Sequence, residues 1–283
     1  MNKKLLDISK KIDPFTLEIL SVITDVSKKL NIAFFVIGAT ARDIILEYVY
    51  NIRSYRITND IDFGINVRTW ADFYLLVNEL LNKGFYKLNG THKFGYKGLP
   101  GIDIIPFGVI ASDISSIKWP DENGREMSVL GYNEAFQDTE LVKINNEPEL
   151  IVNVISSYGL VLLKLISWNE TFPDREKDAQ DISVIIQNYL SLGNNERLFS
   201  DHGDIVEDYF DYEFAGARLL GRDISKIGEK RIIDEILSIL NTRSDRLIYD
   251  MMKDISRLES GENKFEHFSK LLAEFRAGLL DFY

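Results

Sequence analysis

An α+β fold, in which a domain of strands and helices is followed by a helical one, is predicted by three observations on this 283-residue chain. Short apolar, β-branched runs alternate with helical spacing through the first half. Near residue 155 the apolar period changes from two to about 3.6 and stays there. The composition, 45% hydrophobic and 12% aromatic with only 6 Pro and 18 Gly, supplies a core and excludes disorder and fibre. The change of period divides the chain into domains at 1–155 and 156–283, in keeping with a length of roughly two domains.

The elements follow in order. Asp13 before Pro14 is an N-cap and a first helical position, opening an amphipathic helix through Leu17, Leu20, Ile23 and Leu30. Residues 33–37 form a buried strand that stops at Gly38, and 40–50 has helical spacing. A second strand is expected over 56–65. Thr69 caps a helix over 70–82 that ends at Gly84. Further strands are expected at 85–88, 92–96 and 102–107, then a loop or small excursion around Pro120, Asn123 and Gly124. A hairpin at 140–144 and 150–154 closes the domain. Helices are expected at 157–168, 175–190, 231–240, 244–258 and 265–283, with a less regular stretch between the second and third.

Charge and composition narrow the chemistry. The net charge is −11. Residues 1–150 carry 17 basic and 20 acidic side chains, and 151–283 carry 16 and 24, so neither half is a basic nucleic-acid footprint. The absence of cysteine rules out disulfides and thiolate metal sites, and 3 scattered histidines make zinc an unsuitable metal. A divalent ion would be held by carboxylates, which favours magnesium or manganese. No apolar run approaches the roughly 18 residues of a membrane span, and the first residues lack a signal-peptide pattern, so a cytoplasmic protein without membrane association is expected.

The chemistry concentrates in three places. In Asp60-Ile61-Asp62-Phe63 both carboxylates share one face of a strand while Ile61 and Phe63 take the other. Such paired charges suit a cation, though two solvated acids on a surface strand would read the same. Asp103, between Ile102 and Ile104, sets a third carboxylate in another apolar strand, where a neighbouring strand about 5 Å away completes a cradle for divalent ions. The turn from strand to helix at Gly38 offers backbone amides to a phosphate, though an ordinary turn has the same pattern. Together the three describe a nucleotidyl-transfer site.

Gly38-Ala39, Asp60-Ile61-Asp62 and Asp103 resemble the nucleotidyltransferase superfamily that includes DNA polymerase beta and the tRNA CCA-adding enzymes. Residues 38–43 look like the Gly-Gly-x-x-Arg-Asp of the latter. Residues 56–63, Leu162-Leu163-Lys164-Leu165 and 175–182 are similar to the abortive-infection nucleotidyltransferases, toxins of type IV toxin-antitoxin systems. The likeness spans roughly residues 34–190. It implies a mixed sheet with flanking helices and a C-terminal helical domain. It also implies magnesium or manganese on Asp60, Asp62 and Asp103, the catalytic residues, and nucleotide contacts from Gly38, Ala39, Thr40, Arg42, Lys164, Lys177 and Asp178. The implied partners are a nucleoside triphosphate, an RNA acceptor such as tRNA, and a cognate antitoxin protein. Ala39 stands where the family usually has Gly or Ser, and Thr40 could supply the missing hydroxyl.

Outside that likeness, Lys164 lies among leucines, where a snorkelling side chain is the alternative to a triphosphate contact. Arg175 with Asp178 and Lys177 with Asp181 are spaced as helix-face pairs. Arg218, Arg222, Lys226, Lys230 and Arg231 are the densest basic group of the second half and would carry any RNA backbone contacts, unless they and the acids at 201–213 are simply solvated helix faces. A small cationic acceptor would suit the acidic charge better than RNA does.

Overall fold

In a computed structural model of the chain, the structure describes residues 5–53, 60–111, 113, 115–120, 124–208, 211–253 and 261–283. They form two compact units, Met1–Ser156 and Ser157–Tyr283. The start of the strand expected at 56–65, including the motif residues 56–59, lies outside the described residues.

The first unit runs β1 (Leu6–Asp7), α1 (Pro14–Leu30), β2 (Ala33–Ile37), α2 (Gly38–Asp43), β3 (Ile61–Asn66), α3 (Trp70–Leu81), β4 (Phe85–Lys87), β5 (Lys93–Tyr96) and β6 (Leu99–Phe107). There follow β7 (Ser116–Lys118), β8 (Glu126–Ser128), α4 (Tyr132–Gln137), β9 (Thr139–Asn145) and β10 (Leu150–Ile155). Among the described residues eight strands make one mixed sheet in the order β1-β9-β10-β2-β3-β6-β5-β4, so the expected mixed sheet with flanking helices is the observed one. β7 and β8 pair separately, as a small excursion from the main sheet; runs of three residues are too short to show a period in the sequence.

Local chemistry sets the helix starts. The Asp13 carboxylate accepts from the amides of Phe15 and Thr16 at 3.0 and 2.9 Å, with Pro14 in the first turn. Thr69 and Asp72 cap α3 reciprocally. α2 begins two residues earlier than its apolar spacing suggests, at Gly38 itself, and runs on into a wider π-type turn, Ile44–Val49.

Alternation along the strands gives the sheet two apolar faces. On one, Phe34 and Phe63 meet edge to face at 5.9 Å. On the other, Phe35, Phe107 and Phe136 lie 5.4 Å apart in pairs, and Tyr132 of α4 closes on Phe107 at 5.8 Å. Gly64 sits in register with Phe35, and a Cβ there would stand 2.2 Å from the Phe35 ring. The missing side chain therefore seats the centre of this aromatic cluster. Strand residues 62 and 103 share that second face, two and four positions from Gly64 and Phe107.

The second unit is helical throughout its described residues: α5 (Ser157–Glu170), α6 (Glu176–Gln187), α7 (Asn195–Asp201), α8 (Gly203–Asp208), α9 (Tyr212–Ile227), α10 (Lys230–Met252) and α11 (Gly261–Leu280), with a 3₁₀ turn at Tyr189–Ser191. The two helices expected at 231–240 and 244–258 follow one another along α10, parted by a kink where Arg243 leaves helical geometry (φ −134°, ψ 15°). The expected end of the second, 254–258, lies outside the described residues. α9 and α11 cross backbone to backbone. A Cβ at Gly221 would meet the Phe275 carbonyl at 2.2 Å, and one at Gly278 the Arg218 carbonyl at 2.0 Å. No described helix is long and apolar enough to cross a membrane.

Gly64→Ala should lower unfolding free energy by about 1–3 kcal/mol, the cost of overfilling a packed core. The additional change Phe35→Leu should recover part of that loss in chemical denaturation, because the ring is what the new methyl meets.

Candidate functional site

Three strands set the site. β2 is antiparallel to β3, with Ile37 opposite Asp62, and β3 is parallel to β6, with Asp62 opposite Asp103. On the far side β5 is antiparallel to β6 and places Lys93 opposite Asp103. Ile37, Asp62, Asp103 and Lys93 thus form one row across the sheet. Residues directly opposite share a face, so the two carboxylates stand abreast.

Gly38 follows Ile37 and turns the chain into α2 with φ +66°. Its hydrogen faces Asp62. A Cβ built there would lie 1.9 Å from Asp62 Oδ2, 2.7 Å from Cγ and 3.0 Å from Cβ. Glycine is required twice, for the left-handed backbone and for the space that the carboxylate occupies. Thr40 Oγ1 donates to the Asp60 carbonyl at 2.7 Å, tying α2 to the residue ahead of β3. The hydroxyl expected for a phosphate thus already spends its proton on the backbone. Ala39 is half-buried beside it.

Arg42 is buried, and its Nε and a terminal nitrogen donate to Asp43 Oδ1 at 2.8 and 2.6 Å. This holds the guanidinium within α2. Asp60 is exposed one residue before β3. Among the described residues no three His, Cys, Asp or Glu side chains form a group that could hold a metal ion, so what the structure brings together is the pair Asp62 and Asp103. The donors are carboxylate oxygens, which fit magnesium or manganese rather than a softer ion.

Asp103 has two neighbours that the sequence reading missed. Lys93 Nζ lies 3.5 Å from Asp103 Oδ2, and His92 Nε2 lies 4.0 Å from the same oxygen. The His92 ring is 6.0 Å from that of the buried Trp119. The two-residue alternation of the strand at 92–96 was the available signal. It does not say which strand lies alongside.

In the second unit Lys164 is neither snorkelling nor exposed. Its Nζ lies 2.9 Å from Asp178 Oδ1 and 2.6 Å from Asp181 Oδ2, all three side chains under 10% exposed. Burial pulls the ammonium pKa down and the two carboxylates push it up, with a net rise. Asp181 thus joins Lys164 on the neighbouring helix instead of pairing with Lys177, which is exposed. Arg175 does lie 3.2 Å from Asp178, as its spacing suggests.

The basic group expected to meet a polyanion is partly neutralised from within. Arg218 donates to both oxygens of Asp281 at 3.0 and 2.9 Å. Arg222, 6% exposed, is shared between Asp281 and Asp204. Asp204 of the acidic run and Arg222 of the basic group are therefore paired with each other rather than separately solvated. Lys226, Lys230 and Arg231 are exposed.

No family model matches the chain, and no curated protein matches it. Among solved structures it is similar to the antibiotic-resistance factor ANT(2'')-Ia, in complex with adenylyl-2''-tobramycin (12% identity, 66% of this chain and 99% of that one, TM-score 0.39). It is also similar to a nucleotidyltransferase-like protein from Paracoccidioides brasiliensis (16%, 67% and 89%, TM-score 0.40). A third is the Thermotoga maritima CCA-adding enzyme complexed with tRNA (13%, 96% and 84%, TM-score 0.28).

Gly38→Ala should cost about 1–2 kcal/mol from the left-handed backbone alone. It should cost more where Asp62 is present; in an Asp62→Ala background the steric part should shrink, and a thermodynamic cycle measures the difference. Lys164→Met should destabilise the protein by about 3–5 kcal/mol, because it strands two buried carboxylates. The raised lysine pKa fixes the sign: the stabilisation is whole below the ordinary lysine range and fades as pH rises through the raised value. Unfolding curves of both proteins at neutral and alkaline pH check this.

Proposed function

We propose that this protein is a metal-dependent nucleotidyltransferase. An acceptor hydroxyl attacks the α-phosphate of a nucleoside triphosphate, the nucleoside monophosphate is transferred and diphosphate leaves. The observation that carries the reading is the pair Asp62 and Asp103, abreast on adjacent parallel strands and next to a glycine turn whose missing side chain makes room for one of them.

Asp62 and Asp103, with Asp60 from the exposed residue ahead of β3 as the third ligand that the motif likeness gives, would hold magnesium or manganese, which when bound neutralises charge on the leaving diphosphate and acidifies the attacking hydroxyl. The remaining work belongs to the chain. The amides at Gly38 and Ala39, where β2 turns into α2, bind phosphate oxygens. Asp103 takes the proton of the hydroxyl as it attacks. Thr40 ties α2 to the residue ahead of β3, keeping those amides in place, and Arg42 bonds Asp43 within the helix. Lys177 is exposed and keeps the nucleotide contact that the motif likeness gives it. Lys164 and Asp178 are committed to each other, so we assign them to joining α5 to α6.

We propose RNA, tRNA in the first instance, as the acceptor, and a toxin-like role held in check by a cognate antitoxin protein; this finer reading rests on the motifs at 56–63, 162–165 and 175–182. A small cationic acceptor is the second reading. It is favoured by the net charge of −11 and by the internal pairing of Arg218 and Arg222.

Incubation with labelled nucleoside triphosphates, magnesium, total RNA and an aminoglycoside tests both readings. Label should enter RNA, and Asp62→Asn and Asp103→Asn should each cut transfer roughly a hundredfold or more while the proteins stay folded. Label in the aminoglycoside alone selects the second acceptor. Full transfer by either variant overturns the site.

A further inference from the structure

The row across the sheet contains one member that the proposed reaction does not use. Asp62 and Asp103 stand abreast, and like charges directly opposite each other on a sheet are unfavourable. Lys93 is the next residue in the row, on β5, in register with Asp103 and with its ammonium 3.5 Å from Asp103 Oδ2. Its side chain is half-exposed and ends a flexible stem. His92 is 4.0 Å from the same oxygen but far less exposed, at 15%, and set against Trp119.

We infer that Lys93 is the resident counter-ion of the paired carboxylates: it holds Asp103 in the metal-free protein and yields that oxygen to a divalent cation. The inference rests on reading Asp62 and Asp103 as metal ligands. A divalent cation and an ammonium compete for the same oxygen, because the ion needs its lone pairs directly. Exchange is easy for Lys93. A half-exposed ion pair is weakly held, and its departure leaves the ammonium in water rather than stranded in the core. The protein is therefore relieved of carboxylate repulsion before it is loaded, at the expense of some metal affinity.

The test uses the full chain and manganese alone as probe, with binding followed by electron paramagnetic resonance and stability by thermal unfolding. Lys93→Met keeps the stem and removes the competitor. It should bind manganese roughly two- to fivefold more tightly, the span expected from losing one partly exposed ion pair. Its metal-free form should melt lower than wild type, and manganese should raise its melting temperature by more. Lys93→Arg, which can hold a carboxylate by two hydrogen bonds, should shift manganese affinity the other way. Wild-type manganese affinity in both variants overturns the inference and leaves the carboxylate site standing. Failure of the wild-type protein to bind manganese overturns both.

Discussion

Two carboxylates abreast on neighbouring strands are the constraint around which the first unit is arranged. Side by side they repel, and each needs room on a face that is otherwise apolar. Room comes from Gly38, whose hydrogen touches the Asp62 carboxylate. Charge balance comes from β5, which brings Lys93 opposite Asp103. Rigidity comes from further along the same face, where Phe35, seated over Gly64, and Phe107 lock β2, β3 and β6 together through α4. A slip of one residue between β3 and β6 would break the row and turn the carboxylates to opposite faces.

The second unit solves the same electrostatic problem by burial in pairs. Lys164 sits between Asp178 and Asp181, Arg197 and Tyr189 bind Asp223, and Arg222 bridges Asp204 and Asp281. In a chain with 44 acidic and 33 basic side chains, each cation used inside is one fewer outside. Each of these pairings withdraws carboxylates along with the cation, so the unit keeps its acidic net charge while fewer cations remain to face outward. Any polyanion must rely on the exposed lysines and arginines left over.

Features governed by neighbours in the chain were legible in the sequence. The caps at Asp13 and Thr69, the glycine stop after β2 and the hairpin of β9 and β10 depend on residues a few positions apart. The carboxyl group at Asp103 stood out because an acid amid isoleucines is costly without a partner. What was not legible is pairing at a distance. Lys164 meets Asp178 and Asp181 across two helices, whereas sequence spacing offers only partners three or four residues away. Arg218 and Arg222 find Asp281 some sixty positions on because Gly221 and Gly278 let their helices touch, and a glycine within a helix does not announce which helix it faces. Lys93 reads as a solvated strand lysine until the sheet order is known.

The strand order also has a consequence for the chain as it is made. The row from Ile37 to Lys93 draws on strands that are all complete by Phe107, so it can assemble from one contiguous stretch as the nascent chain lengthens. The other flank of β2 waits. Its partner there is β10, which pairs Val154 with Val36 and is not synthesised until the end of the first unit. During that interval Phe34 to Ile37 present an apolar strand with an open edge, the kind of template on which neighbouring chains join. Translation speed over the stretch before β10, and the chaperones that meet it, thus bear on the yield of this protein as directly as any contact in the finished fold.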